Sequence, residues 1–289
     1  MSKKRILFII NPISGGGKNK TLIPLIERVI DKNKFAIEFA LTEYKGHAKE
    51  LAFNARLKKD IICVAGGDGS VNEVGTQLIE STCKLAILPT GSGNGIARHL
   101  GIPLKISAAL ERINQFNQTH IDIGKINAHH FIGVAGIGFD AYIAKRFDNY
   151  HKRGFWSYFK LVLSAFKNYK PITVKWGEKK EEHGQFLMCF ILNSGQFGNG
   201  FKLSPDASMS DGMLTLLMIK KPSFIAGLPL VLRAYFGDLR TSCYSTAIEI
   251  ERIKLNTTEP LIHIDGEPLD IEEGELQVSI LKEALEVLT

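Results

Sequence analysis

Three stretches of this 289-residue chain combine glycine with small polar residues as an anion-binding loop requires. They are Asn11-Pro12-Ile13-Ser14-Gly15-Gly16-Gly17-Lys18, Gly66-Gly67-Asp68-Gly69-Ser70-Val71-Asn72-Glu73 and Pro89-Thr90-Gly91-Ser92-Gly93-Asn94-Gly95. Glycine lets the backbone turn so that successive N–H groups face one oxyanion, and a helix that follows adds its positive end. A single loop of this kind is ordinarily a tight turn. Three of them, two with polar side chains interleaved, point to phosphate. The first is not a Walker loop, because Pro12 falls where that pattern has its first glycine and Asn19 replaces the Ser/Thr. In the second, Asp68 sits between glycines and presents a carboxylate to Mg²⁺ or to a ribose hydroxyl, while Ser70 or Asn72 is placed to cap the following helix. Gly136-Ile137-Gly138-Phe139-Asp140-Ala141 imitates a dinucleotide fingerprint, but no crossover helix leading to a second parallel strand with an acidic end follows it. Far downstream, Leu261–Ile264 ends in Asp265-Gly266, a turn that projects Glu267 from a strand edge. The eight histidines show no ligand spacing.

The elements that must hold these loops read as α/β in the first half. Strands are predicted over 3–10, 35–41, 61–65 and 85–88, with helices over 19–31, 47–56 and 71–79. Alternation of this kind gives a parallel sheet with right-handed crossovers, and the three glycine clusters fall at its strand ends, where such sheets bind ligands. The second half has short strand-like runs over 186–193, 213–219, 247–255, 261–264 and 275–280, without regular helices between them. A chain of this length with 45% hydrophobic and 23% charged residues fits two globular domains. No apolar run reaches the ~18 residues of a membrane-spanning helix, and 5–12 lacks a signal-peptide cleavage pattern. Four widely spaced cysteines in mostly apolar surroundings read as reduced thiols of a cytoplasmic protein. The net charge of +6 is concentrated in 145–170, where seven basic residues meet one acid and alternate with Phe147, Tyr150, Phe155, Trp156, Tyr158, Phe159 and Phe166. That composition describes either a contact with an anionic bilayer or an amphipathic helix with a solvated basic face.

The ordered motifs resemble the diacylglycerol kinase catalytic-domain family, which groups bacterial lipid kinases with sphingosine and ceramide kinases and is more distantly related to NAD kinases and phosphofructokinases. The resemblance rests on Asn11-Pro12-x-Ser14-Gly15, Gly66 to Glu73 and Pro89-x-Gly91-Ser92-Gly93-Asn94. It continues through Thr42 with Gly46-His47-Ala48, Ile121 to Lys125, Gly136 to Ala141, Leu203 to Ala207 with Asp211-Gly212, and Asp265-Gly266-Glu267. It implies an α/β chain. An amino-terminal phosphofructokinase/NAD-kinase-like parallel-sheet domain, residues 1–122, would bind the nucleotide. A larger carboxyl-terminal β-sandwich, residues 123–289, would take the lipid, with its last residues packing back on the first domain. The implied activity is phosphoryl transfer from ATP with Mg²⁺ to a lipid alcohol. Glu267 is the implied proton acceptor, and a partly buried carboxylate there would have a raised pKa suited to the task. Asp68 and Asp122 are implied in a Mg²⁺-linked network beside the phosphates. Asn11, Pro12, Ile13, Ser14, Gly15, Thr42, Gly66, Gly67, Asp68, Gly69, Ser70, Val71, Asn72, Ser92 and Asn94 are implied at the nucleotide. A structural metal is implied at the backbone carbonyls of Ser208 and Met213 and the carboxylate of Asp211.

Two positions depart from the bacterial pattern. Ser70 stands where Thr is usual and keeps the hydroxyl, while Gly95 stands where an Asp usually follows the asparagine of the third loop. Gly-Ser-Gly-Asn before a small residue is closer to sphingosine and ceramide kinases, yet the acid that anchors the amine of a long-chain base falls near Tyr142, with Asp140 two residues earlier. The lipid is therefore left open between a diacylglycerol-like alcohol and a long-chain base. The competing readings are a kinase for a soluble substrate and a nucleotide-responsive membrane protein with weakened catalysis. The expected partners are a lipid alcohol and the surface of an anionic membrane, not nucleic acid. The sequence assigns no oligomeric state.

Overall fold

A computed structural model describes residues 3–14, 21–148, 155–177, 181–197, 200–236, 238–271 and 274–289. The first half alternates strand and helix: β1 (Lys4–Ile10), α1 (Leu22–Val29), β2 (Phe35–Leu41), α2 (His47–Ala55), β3 (Ile61–Gly66), α3 (Asp68–Gly75), β4 (Lys84–Pro89), α4 (Gly95–His99) and α5 (Ile106–Gln115). β1 and β3 are apolar almost throughout, because both of their faces are covered. The four strands pair in parallel in the order β2-β1-β3-β4, so the carboxyl ends of β1, β3 and β4 lie side by side. α3 begins at Asp68, three residues earlier than the apolar spacing predicts. Its N-cap is Gly67, in an extended conformation with no side-chain cap. Ser70 and Asn72 therefore lie inside the helix rather than capping it.

The chain then forms β5 (Gln118–Ile126), β6 (His129–Phe131), β7 (Val134–Gly138), α6 (Phe139–Asp148), α7 (Phe155–Asn168), β8 (Ile172–Trp176), β9 (Glu182–Phe186), β10 (Met188–Leu192), β11 (Leu214–Ile219) and α8 (Phe224–Phe236). It ends with β12 (Ser245–Ile250), β13 (Arg252–Thr257), β14 (Leu261–Ile264), β15 (Glu267–Asp270) and β16 (Glu275–Leu288). Six strands form one sheet in the order β12-β11-β10-β7-β14-β15. The other strands join the parallel strands in a ten-stranded sheet through β16, which pairs with β5 and β13 and meets β4 in parallel at Val287 and Leu85. The run expected as one strand over 247–255 is two: β12 lies in the six-stranded sheet, and β13 crosses to the ten-stranded one.

One core lies around the parallel strands. A second, including Ile137, Leu216, Leu255, Ile262 and Val278, fills the space between the two sheets. The outer face of the six-stranded sheet is covered by helices: Phe190, Leu217 and Ile219 pack with Leu230 and Ala234 of α8, while Phe139 and Ile143 of α6 pack with Leu161 and Ala165 of α7. Three helices thus interrupt a half read chiefly as strands, with an amphipathic helix offered only within 145–170.

Candidate active site

At the ends of β1, β3 and β4 the three glycine-rich loops are tied to one another. The N–H of Asn11 donates to the carbonyl of Ala65 at 3.1 Å, and that of Thr42 to the carbonyl of Ile10 at 3.0 Å. Asn11 Oδ1 accepts the N–H of Ile13 at 3.1 Å, and Ser14 Oγ lies 2.8 Å from Thr90 Oγ1, bridging the first loop to the third. Thr90 and Gly91 both donate their N–H groups to the carbonyl of Gly66. A Cβ added to Gly91 would stand 2.4 Å from the Cα of Gly67, so the second and third loops touch backbone to backbone and only glycine fits there. Gly15 lies outside the described residues.

Asp68 is held by this arrangement. Its carboxylate accepts the N–H of Gly95 at 3.0 Å and that of Ile96 at 3.0 Å, fixing the first turn of α4. Gly95 thus meets Asp68 through its backbone. Each carboxylate oxygen keeps a further lone pair, so Asp68 still suits a cation. Asn94 adds a second acceptor. Its Nδ2 donates to the carbonyl of Gly91 at 2.8 Å, and its buried Oδ1 has no hydrogen-bond partner in the protein. A buried acceptor left open at the mouth of these loops fits a nucleotide donor or a metal ion. Ser92 is exposed beside it, whereas the side chain of Val71 is buried in the core and offers the site only backbone.

Glu267 reaches these loops from the far end of the chain. Asp265 and Gly266, with φ of 47° and 88°, form the two-residue turn of the β14–β15 hairpin. Positive φ at both turn residues is the type I′ geometry, for which Asp-Gly is well suited. The Asp265 carboxylate accepts four N–H groups: Ile132, Gly133 and Val134 at 2.8 Å each, and Asn72 Nδ2 at 2.7 Å. Burial pushes the Asp265 carboxyl up, while the three backbone amides and Asn72 pull it down. Four donors with no competing donor hydrogen call for the carboxylate form. Asn72 Nδ2 donates also to the carbonyl of His130 at 3.3 Å, and these bonds dock the hairpin on α3.

That docking lays Glu267 across the first turn of α3, with Oε1 3.1 Å from where a Cβ on Gly69 would stand. Its Oε2 pairs with Lys45 Nζ at 2.5 Å. The Glu267 side chain is 50% exposed, at the edge of an open cleft. The cleft, about 250 Å³, is lined by Asn72, Thr76, His130, Ile264, Glu267 and Leu269, among others. Glu73, one helical turn beyond Gly69, accepts the N–H of Gly46 at 3.2 Å and so holds the loop that carries Lys45. Burial raises the Glu73 carboxyl, the Gly46 amide lowers it, and Glu267 raises it again.

Beneath the hairpin, His263 Nε2 faces Asp140 Oδ2 in a buried pair, and His263 Nδ1 accepts the N–H of Gly266 at 3.3 Å. An acceptor at Nδ1 places the imidazole proton on Nε2, toward Asp140. A Cβ on Gly136 would stand 2.2 Å from His263 Nε2. The fingerprint-like Gly136-x-Gly138-Phe139-Asp140 thus makes room for the buried His263–Asp140 contact rather than for a dinucleotide.

Asp122 is held by backbone amides. Its carboxylate is buried, with Oδ2 accepting Gly212 N–H and Oδ1 accepting Glu283 N–H, both at 2.7 Å. It organises the Asp211–Gly212 loop and the irregular stretch of β16. Ser208, Asp211 and Met213 share that loop, where Asp211 Oδ1 accepts the N–H of Met213 at 3.0 Å. Among the described residues no three His, Cys, Asp or Glu side chains cluster as a metal cage, so a cation here would lean on backbone carbonyls. Lys45, Glu73, Asp140 and His263 carry contacts that motif spacing did not single out. Only Glu73 and Asp140 lie inside recognised motifs.

Residues 5–126 match the model of the diacylglycerol kinase catalytic domain, and residues 133–289 that of the YegS C-terminal NAD kinase beta sandwich-like domain. The chain belongs to the diacylglycerol kinase family. It is 28% identical over 272 residues to a diacylglycerol kinase of Bacillus subtilis, covering 91% of this chain and 90% of that one. It is 30% identical over 225 residues to one of Staphylococcus saprophyticus, covering 76% and 74%. In fold it resembles a crystal structure of a diacylglycerol kinase from Bacillus anthracis, with a TM-score of 0.75, 21% identity and coverage of 100% and 97%. It also resembles an NAD kinase from Archaeoglobus fulgidus solved with ATP, with a TM-score of 0.55, 13% identity and coverage of 98% and 93%. The protein is therefore a kinase of the lipid-kinase class, a phosphotransferase with an alcohol acceptor, and family membership implies ATP as donor. No helix among the described residues is long and apolar enough to cross a membrane.

Proposed function

We propose that this diacylglycerol kinase family member transfers the γ-phosphoryl group of ATP to the hydroxyl of a diacylglycerol-like or long-chain-base lipid, with Glu267 as the proton acceptor. The observation that carries this reading is the position of Glu267. A residue 198 positions after Gly69 is held against it by the Asn72–Asp265 bond, beside loops suited to phosphate. In the reaction the lipid hydroxyl oxygen bonds to the γ-phosphorus, the bond to the bridging β–γ oxygen breaks, ADP leaves, and the hydroxyl proton passes to the Glu267 carboxylate. Catalysis of this kind rests on positioning and charge neutralisation more than on covalent chemistry. The N–H groups of the glycine loops receive the phosphates, with Asn11, Ser14 and Thr42 around them. Asp68 and Asn94 would hold Mg²⁺, whose chemistry is to neutralise charge on the transferring group. Lys45 pairs with the Glu267 carboxylate and brings a cation to the place where phosphate charge builds up.

The role proposed for residues 145–170 is contact with an anionic membrane. Lys145 bonds to Asp270 at 2.7 Å, and the guanidinium of Arg146 stacks over Tyr142 at 4.7 Å, so those two brace α6. Lys167 and Lys170 are exposed. Phe147, Tyr150, Lys152, Arg153, Phe155, Trp156, Tyr158, Phe159 and Lys160 lie wholly or in their side chains outside the described residues. Incubation with labelled ATP, Mg²⁺ and a panel of lipid alcohols tests the reading. Label is expected in a diacylglycerol or long-chain base. Label entering only NAD would overturn it in favour of a soluble acceptor.

A further inference from the structure

α8 is apolar on two opposite faces although it lies on the surface. Leu230 and Ala234, only 8% and 6% exposed, anchor one face to the six-stranded sheet. The other carries Ile225, Leu232 and Phe236, spaced i, i+7 and i+11 and therefore in one stripe. Those side chains are 86%, 51% and 86% exposed, and Phe224 beside them 67%. A helix with two apolar faces is normally buried on both, and large apolar side chains exposed along one stripe mark an interaction site.

The patch extends onto α7. The rings of Phe224 and Phe166 lie 6.4 Å apart, and Leu163 is exposed on α7. Charge says what covers it. Residues 220–236 contain Lys220, Lys221 and Arg233 and no acid, and residues 155–170 contain Lys160, Lys167 and Lys170 and no acid. Lys220, Arg233, Lys167 and Lys170 are exposed around the apolar stripe. An apolar stripe flanked by these cations, with Asp238 beyond its end paired to Arg240, suits the interface of an anionic bilayer, with large apolar side chains in the acyl boundary and basic groups among the headgroups. A second copy of the chain would set these cations against their equals.

We propose that α8, with the adjoining face of α7, is a wedge that enters an anionic lipid bilayer. The proposal rests on the lipid-kinase reading for the reason the protein visits a membrane, and goes beyond it by naming the element that enters.

Flotation with vesicles of phosphatidylcholine mixed with phosphatidylglycerol tests it, comparing the wild type with Ile225→Ser/Phe236→Ser. The double variant is expected to lose partitioning about tenfold or more. It is expected to phosphorylate a short-chain, water-dispersed lipid alcohol as the wild type does. Unchanged partitioning would overturn the proposal. So would unchanged partitioning accompanied by loss of a wild-type dimer in sedimentation velocity, which would assign the face to a second copy. Ile225→Trp provides a reading independent of lost contacts: its added fluorescence should be quenched by brominated acyl chains, and no quenching counts against the wedge. Partitioning as expected with no turnover of any lipid alcohol would leave the wedge standing and overturn the kinase reading instead.

Discussion

Glu267 has little to hold it except its hairpin. Half-exposed and paired with Lys45, it depends on Asp265 for its place, and Asp265 is fixed by four donors from α3 and from the turn between β6 and β7 with the first residue of β7. His263 adds a tie from beneath by accepting the N–H of Gly266. Two substitutions separate that tie from the pairing with Asp140. In His263→Asn the Oδ1 stands in for Nδ1 and can still accept from Gly266. In His263→Gln the amide reaches toward Asp140 and leaves Gly266 without its acceptor. Both leave a void in a buried site and cost comparable stability. If the tie positions the base, kcat falls about tenfold or more in the glutamine variant, since small displacements of a reacting group are costly. KM for ATP stays unchanged in both, and the asparagine variant keeps most of its kcat. Equal losses in the two variants would assign His263 to packing alone.

Elements rather than residues decide where the glycine loops lie, and Asp60 shows how the parallel strands are locked at their far end. Its carboxylate accepts the N–H of Arg5 at 2.7 Å, its own N–H donates to the carbonyl of Arg5, and its carbonyl accepts from Lys84. The Arg5 N–H holds the Asp60 carboxyl below its usual range, with burial opposing and the guanidinium assisting. A depressed carboxylate stabilises the fold above its unfolded value of about 3.9 and loses that contribution as pH falls through the lower folded value. Asp60→Asn should therefore be less stable than the wild type at pH 7 by up to about 1 kcal/mol, lessened by solvent screening. The gap should close as the pH drops below about 3.9, measured as denaturant midpoints across pH. A gap that persists in acid would mean the carboxylate charge is not what holds these strands. The strands themselves were legible, because β1, β3 and β4 are apolar runs bounded by glycine or proline. α8 was not. Its spacing is helical, but Gly227 and Pro229 break the sequence pattern and no polar face exists to give an amphipathic signal. β12 and β13 read as one run because alternation continues through the point at which the chain changes sheets.

Across the whole molecule, the site exists because distant segments meet. β16 joins the parallel strands to the sandwich strands within one sheet, and the β14–β15 hairpin brings Glu267 to α3. The glycine-rich loops could be read locally, since their glycine spacing is visible in the sequence. Glu267 could be read only through the ordered motifs. Lys45 and His263 left no local signal, because what matters about them is their partners, residues 222 and 123 positions away, Glu267 and Asp140. Asp122 lies under the Asp211–Gly212 loop, a contact that its motif did not announce. The central claim is that Glu267 accepts the hydroxyl proton of a lipid alcohol. Steady-state transfer from labelled ATP to that lipid, compared between wild type and Glu267→Gln, tests it most directly. The predicted result is a kcat lower by about 10²–10⁴-fold with KM for ATP little changed. A Glu267→Gln enzyme that turns over at the wild-type rate would contradict it.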